Sequence, residues 1–303
     1  MATKKRIHQM TITQWETAFP TEDACATYLV AHRWPVGIRC PRCGSDRVYE
    51  LKTMQWHWEC PACRQGGAYR FSHIAGTIFE NTNKPLRDWF RVIHMMLTAK
   101  KGVSALQVYR TMGFGSYKTA WYMCHRVRAG LANEEFRRLI GIVEVDETYV
   151  GGKGKNRHGR HEKHPHDHGR SLDRKSVVIG AVERKGNVVA RVIDRADLKT
   201  IVRFVEETVS HKVSLVAHDD FPAYRALPKR INHATITHRD KQYVVGAVHT
   251  NTIEGFWSIL KRGVVGTYHK VSRKYLPLYV AEFQFRYNNR NNEDIFGEAI
   301  RGC

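Results

Sequence analysis

Apolar positions along the chain follow two rhythms, and the change between them divides it. Four runs rich in β-branched residues, 142–150, 176–183, 187–193 and 213–218, read as strands. Residues 198–208 between the third and fourth read as a helix. Antiparallel strands, a crossover helix and a further strand fit a mixed α/β sheet. Elsewhere the spacing is helical. Ile253, Phe256 and Leu260 line one side of the stretch His249 to Arg262, while Asn251, Glu254, Ser258 and Lys261 line another. Leu276, Tyr279, Val280, Phe283 and Phe285 mark a later helix over 275–287.

The N-terminal third reads as two small modules. Thr21, followed by Glu22 and Asp23, predicts a capped helix start, and Pro35 ends that segment. Residues 1–75 then hold N-terminal helices and a ribbon built on two cysteine pairs. Over 80–135 the pattern is helical, with Trp89, Val92, Ile93 and Met96 as core. Ser104 to Met112, Gly113 to Ser116 and Tyr117 to Arg128 read as helix, short turn, helix, the helix-turn-helix pattern. In its second helix Ala120, Cys124 and Val127 face inward. Lys118, Tyr122, Arg126 and Arg128 are candidate DNA contacts, with a basic solvated linker as the plainer reading. The mixed α/β catalytic domain is expected over 141–292, with a basic, histidine-rich insert at 153–175 and a tail at 293–303. His158, His161, His164, His166 and His168 are irregularly spaced among basic residues, which favours a solvated, phosphate-brushing segment over a metal site.

Charge narrows the partners. A formal net charge of +20 attracts polyanions, nucleic acid foremost. No apolar run reaches the roughly 20 residues a bilayer requires, and no signal core follows the basic N-terminus. A cytoplasmic, nucleoid-associated protein without membrane contact is therefore expected. Cys40, Cys43, Cys60 and Cys63 stand in two Cys-Pro-x-Cys pairs, the spacing of a closed tetrahedral, structural zinc site.

Acids supply the chemistry. Two strand-like runs end in carboxylates, at Asp146 and at Asp219, and Glu254 lies on the polar helical stripe with Lys261 two turns on. Carboxylates about 4 Å apart repel by roughly 4 kcal/mol at an effective dielectric of 20, so such a set calls for cations. Magnesium or manganese ions suit it, because hard cations take carboxylate oxygen and also accept phosphate oxygens. Asp220 competes with Asp219, but alternation sends the two to opposite faces. Asp219 is preferred, since its strand precedes it directly and Glu254 follows 35 positions later. Glu144 shares a strand face with Asp146 and is its understudy. Lys153, Trp257 and Arg262 are further candidate DNA contacts; core packing is the alternative for Trp257.

Asp146, Asp219, Glu254 and Lys261 match the acidic triad and following lysine of DDE insertion-sequence transposases. The phrases VDETYVGGK, HDDFPAYRAL, HTNTIEGFWSILKRG and EFQFRYNNR resemble the group whose catalytic domain is called ISXO-two-like, which also carries an N-terminal zinc ribbon. The resemblance spans nearly the whole chain. It implies an RNase H-like fold and a reaction in which water frees a 3′-hydroxyl at a transposon end and that hydroxyl attacks target DNA. It also implies double-stranded DNA as partner, both terminal inverted repeats and target, held by a homodimer or higher oligomer on paired ends. The family often shows a single Asp followed by Gly where this chain has Asp219 and Asp220. A zinc-ribbon regulator and a metal-dependent nuclease that does not join strands are the other readings.

Overall fold

The computed structural model describes residues 11–63, 67–132, 137–151, 175–236 and 249–303. They fall into two compact units, one of residues 1–132 with 291–303 and the other of 133–290.

The second unit is built on a five-stranded sheet. Strands β4 (Leu139–Gly151), β5 (Lys175–Glu183) and β6 (Val188–Ile193) run antiparallel; β7 (Val209–Asp219) and β8 (His233–Ile236) lie parallel to β4, giving the order β6-β5-β4-β7-β8. Helix α6 (Leu198–Thr208) joins β6 to β7, with Asp197 accepting the Thr200 backbone N–H at its start. Because both faces of the sheet are covered, β5 is apolar and buried nearly throughout. Val143, Val145, Ile179, Ala181 and Val216 pack with α6 and the 3-10 turn Pro222–Ala226 on one face. Val178, Val182 and Val188 pack on the other with Ile253, Phe256 and Leu260 of α7 (Asn251–Gly263) and with Val280 and Phe283 of α8 (Leu276–Asn288). Alternation along β4 thus sends Glu144 and Asp146 to the α7 side. A π-helical turn, Val264–Tyr268, continues α7.

The first unit holds α1 (Ile12–Ala18), α2 (Glu22–Arg33), a small antiparallel sheet β1-β2-β3 (Tyr49–Glu50, His57–Cys60, Tyr69–Ser72), and α3 (Leu86–Thr98), α4 (Ala105–Met112) and α5 (Tyr117–Gly130). Thr21 caps α2 as its sequence context predicts. The Glu22 carboxylate in turn accepts the first free N–H groups of α3, at Leu86 and Arg87. Between α4 and α5 the chain turns at Gly113, whose φ of +63° is left-handed, and restarts under a Ser116 cap. Residues read from sequence as a tail instead include helix α9 (Ile295–Gly302), whose Phe296 sits among Phe19, Tyr28 and Phe90 with ring centroids 5.2 to 5.7 Å apart. No helix of the described residues is long and apolar enough to cross a membrane.

Candidate functional site

Parallel pairing of β4 with β7 determines which acids meet. Val143 lies opposite Val216, Glu144 opposite Ala217 and Val145 opposite His218. Continuing that register one step brings Asp146, within β4, beside Asp219, the last residue of β7, and the Asp219 charge acts on Asp146. Asp146 is pushed up to about 7, first by burial and then by the negative charges of Glu147 and Asp219. Asp219 Oδ1 also accepts the Phe221 backbone N–H at 3.0 Å, which turns the chain after the strand. Asp220 lies beyond the strand end.

Helix α7 is fixed over this face at two points. Glu144 is fully buried and accepts the backbone N–H groups of Thr252 at 2.7 Å and Ile253 at 3.0 Å and the Thr252 hydroxyl at 2.8 Å. A carboxylate thereby closes the positive end of the helix. Arg184 Nε donates to the same carboxylate at 2.7 Å while its Nη2 donates to the His249 carbonyl at 2.9 Å; His249 Nδ1 stands 3.2 Å from Glu144 Oε1. The second point is Trp257, whose indole N–H donates to Asp146 Oδ2 at 3.0 Å. Its ring needs Gly180, directly opposite Asp146 on β5, because a Cβ there would stand 2.6 Å from the ring.

The other sequence candidates divide. Glu254, in the first turn of α7, is exposed and accepts the Thr250 hydroxyl at 3.0 Å; it is not among the charges that shift Asp146. Lys261 is exposed two turns along the same helix, and Arg262 beside it donates to Ser258 Oγ. Trp257, read as a DNA contact, is 4% exposed and packs under Asp146. Arg128, also read as a DNA contact, is 1% exposed, because it stands one turn from the buried Cys124 on the inward side of α5. Lys118 and Tyr122 are exposed, while Arg126 donates to the carbonyls of Glu80 and Thr77. Lys153 and the five insert histidines lie outside the described residues.

Sequence reasoning also missed a network on the far face of the sheet. Glu147 accepts the Tyr224 hydroxyl at 3.1 Å, and the Tyr224 ring stacks on His218 at 4.6 Å. His218 Nε2 meets His233 Nδ1 at 3.0 Å. The doubled acid in Asp146-Glu147 was its only local signal.

Among the described residues, one group of metal-ligating side chains has its ligand atoms mutually close: Cys40, Cys43, Cys60 and Cys63, all within 4.8 Å. Cys40 and Cys63 sulfurs are 3.9 Å apart, Cys43 and Cys60 sulfurs 3.7 Å. A tetrahedron with Zn–S bonds of about 2.3 Å demands roughly 3.8 Å between sulfurs, so the set fits a closed, structural zinc site. The Ser45 backbone N–H draws the exposed Cys43 thiol down to about 7, while hydrogen bonding to Cys43 and burial push Cys63 up to about 12. A single divalent cation lets all four ionise together. Cys40→Ser is expected to lose the zinc and unfold the ribbon, since its small core of Trp58, Phe71 and Ala75 cannot replace the metal's contribution. Atomic absorption checks this; unchanged zinc content contradicts it.

Two comparisons give the chain a family. Residues 138–288 match the ISXO2-like transposase domain and residues 20–75 the transposase zinc-ribbon domain, together about two-thirds of the chain. The chain belongs to the insertion-sequence transposase family with these two domains. It is 26% identical, over 88% of its length and 91% of the relative's, to an uncharacterized protein in transposable element ISH50 of Halobacterium salinarum. A chain in the structure of the simian T-cell lymphotropic virus intasome with PP2A regulatory subunit B56 gamma aligns over 60% of this chain and 68% of its own, at 16% identity and a TM-score of 0.30.

Proposed function

We propose that the protein is a DNA transposase that binds insertion-sequence ends, cleaves them to free 3′-hydroxyls and joins these to target DNA. The observation that carries the reading is Asp146 beside Asp219 on parallel strands, under a helix bearing Glu254 and Lys261. The strand order, three antiparallel strands followed by a crossover helix and parallel strands, supports an RNase H-like fold for the catalytic unit. Helix α4, the Gly113 turn and α5 support a helix-turn-helix.

The donor chemistry fits divalent magnesium or manganese. Two hard carboxylates side by side, one of them held protonated up to about pH 7 by burial and repulsion, leave negative charge that a cation would neutralise. Asp146, Asp219 and Glu254 would hold it, and when bound it would activate an attacking oxygen and stabilise a leaving one. The chain's own groups do the rest. Trp257 holds one Asp146 oxygen and so fixes the rotation of the other. Lys261, on the Glu254 side of α7, opposes the charge that builds on the phosphate's equatorial oxygens. Lys118 and Tyr122 meet DNA and Arg262 its backbone, with DNA duplexes held as paired ends by a homodimer or larger assembly.

The protein incubated with end-bearing DNA, a target plasmid and magnesium is expected to yield joined product. Asp219→Asn is expected to abolish both cleavage and joining, with end binding kept within about three-fold, since removing one charge from the acid pair does not touch the DNA-facing cations. DNA bound without cleavage by the unaltered protein would make it a regulator. Cleavage without joining would make it a nuclease.

A further inference from the structure

In the first unit, a cleft of about 400 Å³ opens between the turn 81–84 and the outer side of α5. That volume lies in the range of small-ligand sites, about 300–1,000 Å³. Three cations line it, Lys84, Lys118 and Arg126, and none of its lining residues is acidic. Each cation has a different setting. Arg126 is held by the carbonyls of Glu80 and Thr77 at 3.0 and 3.3 Å, so its position is set before any ligand arrives. Lys84 Nζ rests 4.9 Å above the Phe114 ring, and Lys118 stands exposed in the first turn of α5. Beside them Tyr122 presents an aromatic ring that is 54% exposed, with the Arg126 guanidinium 5.4 Å from its centre. On the opposite wall Asn81, at a left-handed φ of +56°, and Asn83 expose side-chain amides.

A recess lined by cations and no acid selects a phosphate. An exposed ring backed by a guanidinium selects a flat, electron-rich partner, and amides read the edge of such a partner. A duplex offers phosphates to a convex helix but keeps its bases stacked, whereas a recess of this size takes a base only once it has left the stack. We infer that the cleft binds one nucleotide of an unpaired DNA strand, with the phosphate on Lys84 and Lys118 and the base on Tyr122. This rests on the DNA-transposase reading and adds to it a place for single-stranded DNA.

The test uses the full chain with two probes, a short oligothymidine strand and a blunt duplex of mixed sequence, followed by fluorescence anisotropy across a salt series. Tyr122→Ala is expected to weaken oligothymidine binding about ten-fold and duplex binding less than two-fold. Tyr122→Phe keeps the ring and is expected to bind both probes as the unaltered protein does. Lys118→Ala is expected to lower the slope of log affinity against log salt for the strand by about 0.7, one phosphate contact. Both positions are exposed, and an unchanged melting temperature checks that the three variants fold. Equal losses for strand and duplex would make the cleft part of a duplex-binding face and overturn the inference. So would unchanged affinity, or failure of the unaltered protein to bind the strand. Failure of the transposase reading has a different signature, since it is read by end cleavage and joining in the unaltered protein and Asp219→Asn, neither of which alters the cleft.

Discussion

Asp146→Asn is expected to abolish end cleavage and, in the same molecule, to stabilise the metal-free protein. Burial, then the charges of Glu147 and Asp219, raise this carboxyl from 3.8 to about 7. A group whose folded pKa is raised contributes stability that is fully present below its unfolded value and is lost as the pH rises through the folded one. Here the loss runs from about pH 4 to just above pH 7. Each unit is worth about 1.4 kcal/mol, so ionising Asp146 at pH 8 costs the metal-free fold on the order of 4 kcal/mol. Asparagine never ionises, fills nearly the same volume and still offers Trp257 an acceptor oxygen. Thermal melts in chelator should show variant and unaltered protein alike at pH 4 and the variant several degrees higher at pH 8. Saturating magnesium should narrow the gap, because it binds the ionised carboxylate of the unaltered protein. A variant no more stable at pH 8 in chelator would show that Asp146 carries no such stored repulsion.

Glu144→Gln should act in the opposite sense. The buried carboxylate holds Arg184, the Thr252 hydroxyl and two backbone N–H groups at the start of α7. An amide removes the charge that balances Arg184, whose side chain is 18% exposed, and turns a donating NH2 toward groups that themselves donate. Losing one partner of a buried pair costs about 3–5 kcal/mol, and the surviving acceptor oxygen places this change near the lower end. Urea unfolding should report a loss of about 3 kcal/mol, and cleavage should fall at least ten-fold under conditions where the protein stays folded, because Glu254 rides on the helix that Glu144 anchors. Adding Arg184→Gln should cost less than the sum of the two single changes. An unchanged urea midpoint for Glu144→Gln would remove the anchor from the account of the site.

Much of this arrangement was legible in the sequence, for reasons that vary by element. Strands β4 to β7 announce themselves because β-branched runs are interrupted by turn residues, and alternation along β4 puts Asp146 and Glu147 on opposite faces before any coordinates. The cysteine pairs carry their own geometry. Glu144 could be placed on the right face, yet its role depends on Arg184, 40 residues on, and on Thr252, 108 residues on, and no local pattern contains those distances. Trp257 stands one position beyond the apolar stripe of α7, which made it look outward; the overlooked signal was Gly180, a lone glycine inside the run Ser176 to Glu183. Arg128 looked outward by charge alone, although its phase matches Cys124. Strand β8 has only four residues, too few to show a period. Helix α9 was lost among asparagines and charges, although Ile295, Phe296, Ala299 and Ile300 already repeat at helical spacing.

Manganese soaked into crystals at pH 8 and located by its anomalous scattering tests the acidic centre most directly. The expected result is metal between the carboxylates of Asp146 and Asp219, with Glu254 released from Thr250 to join them. Crystals saturated with manganese that show none at this pair, with Glu254 still hydrogen-bonded to Thr250, would contradict it.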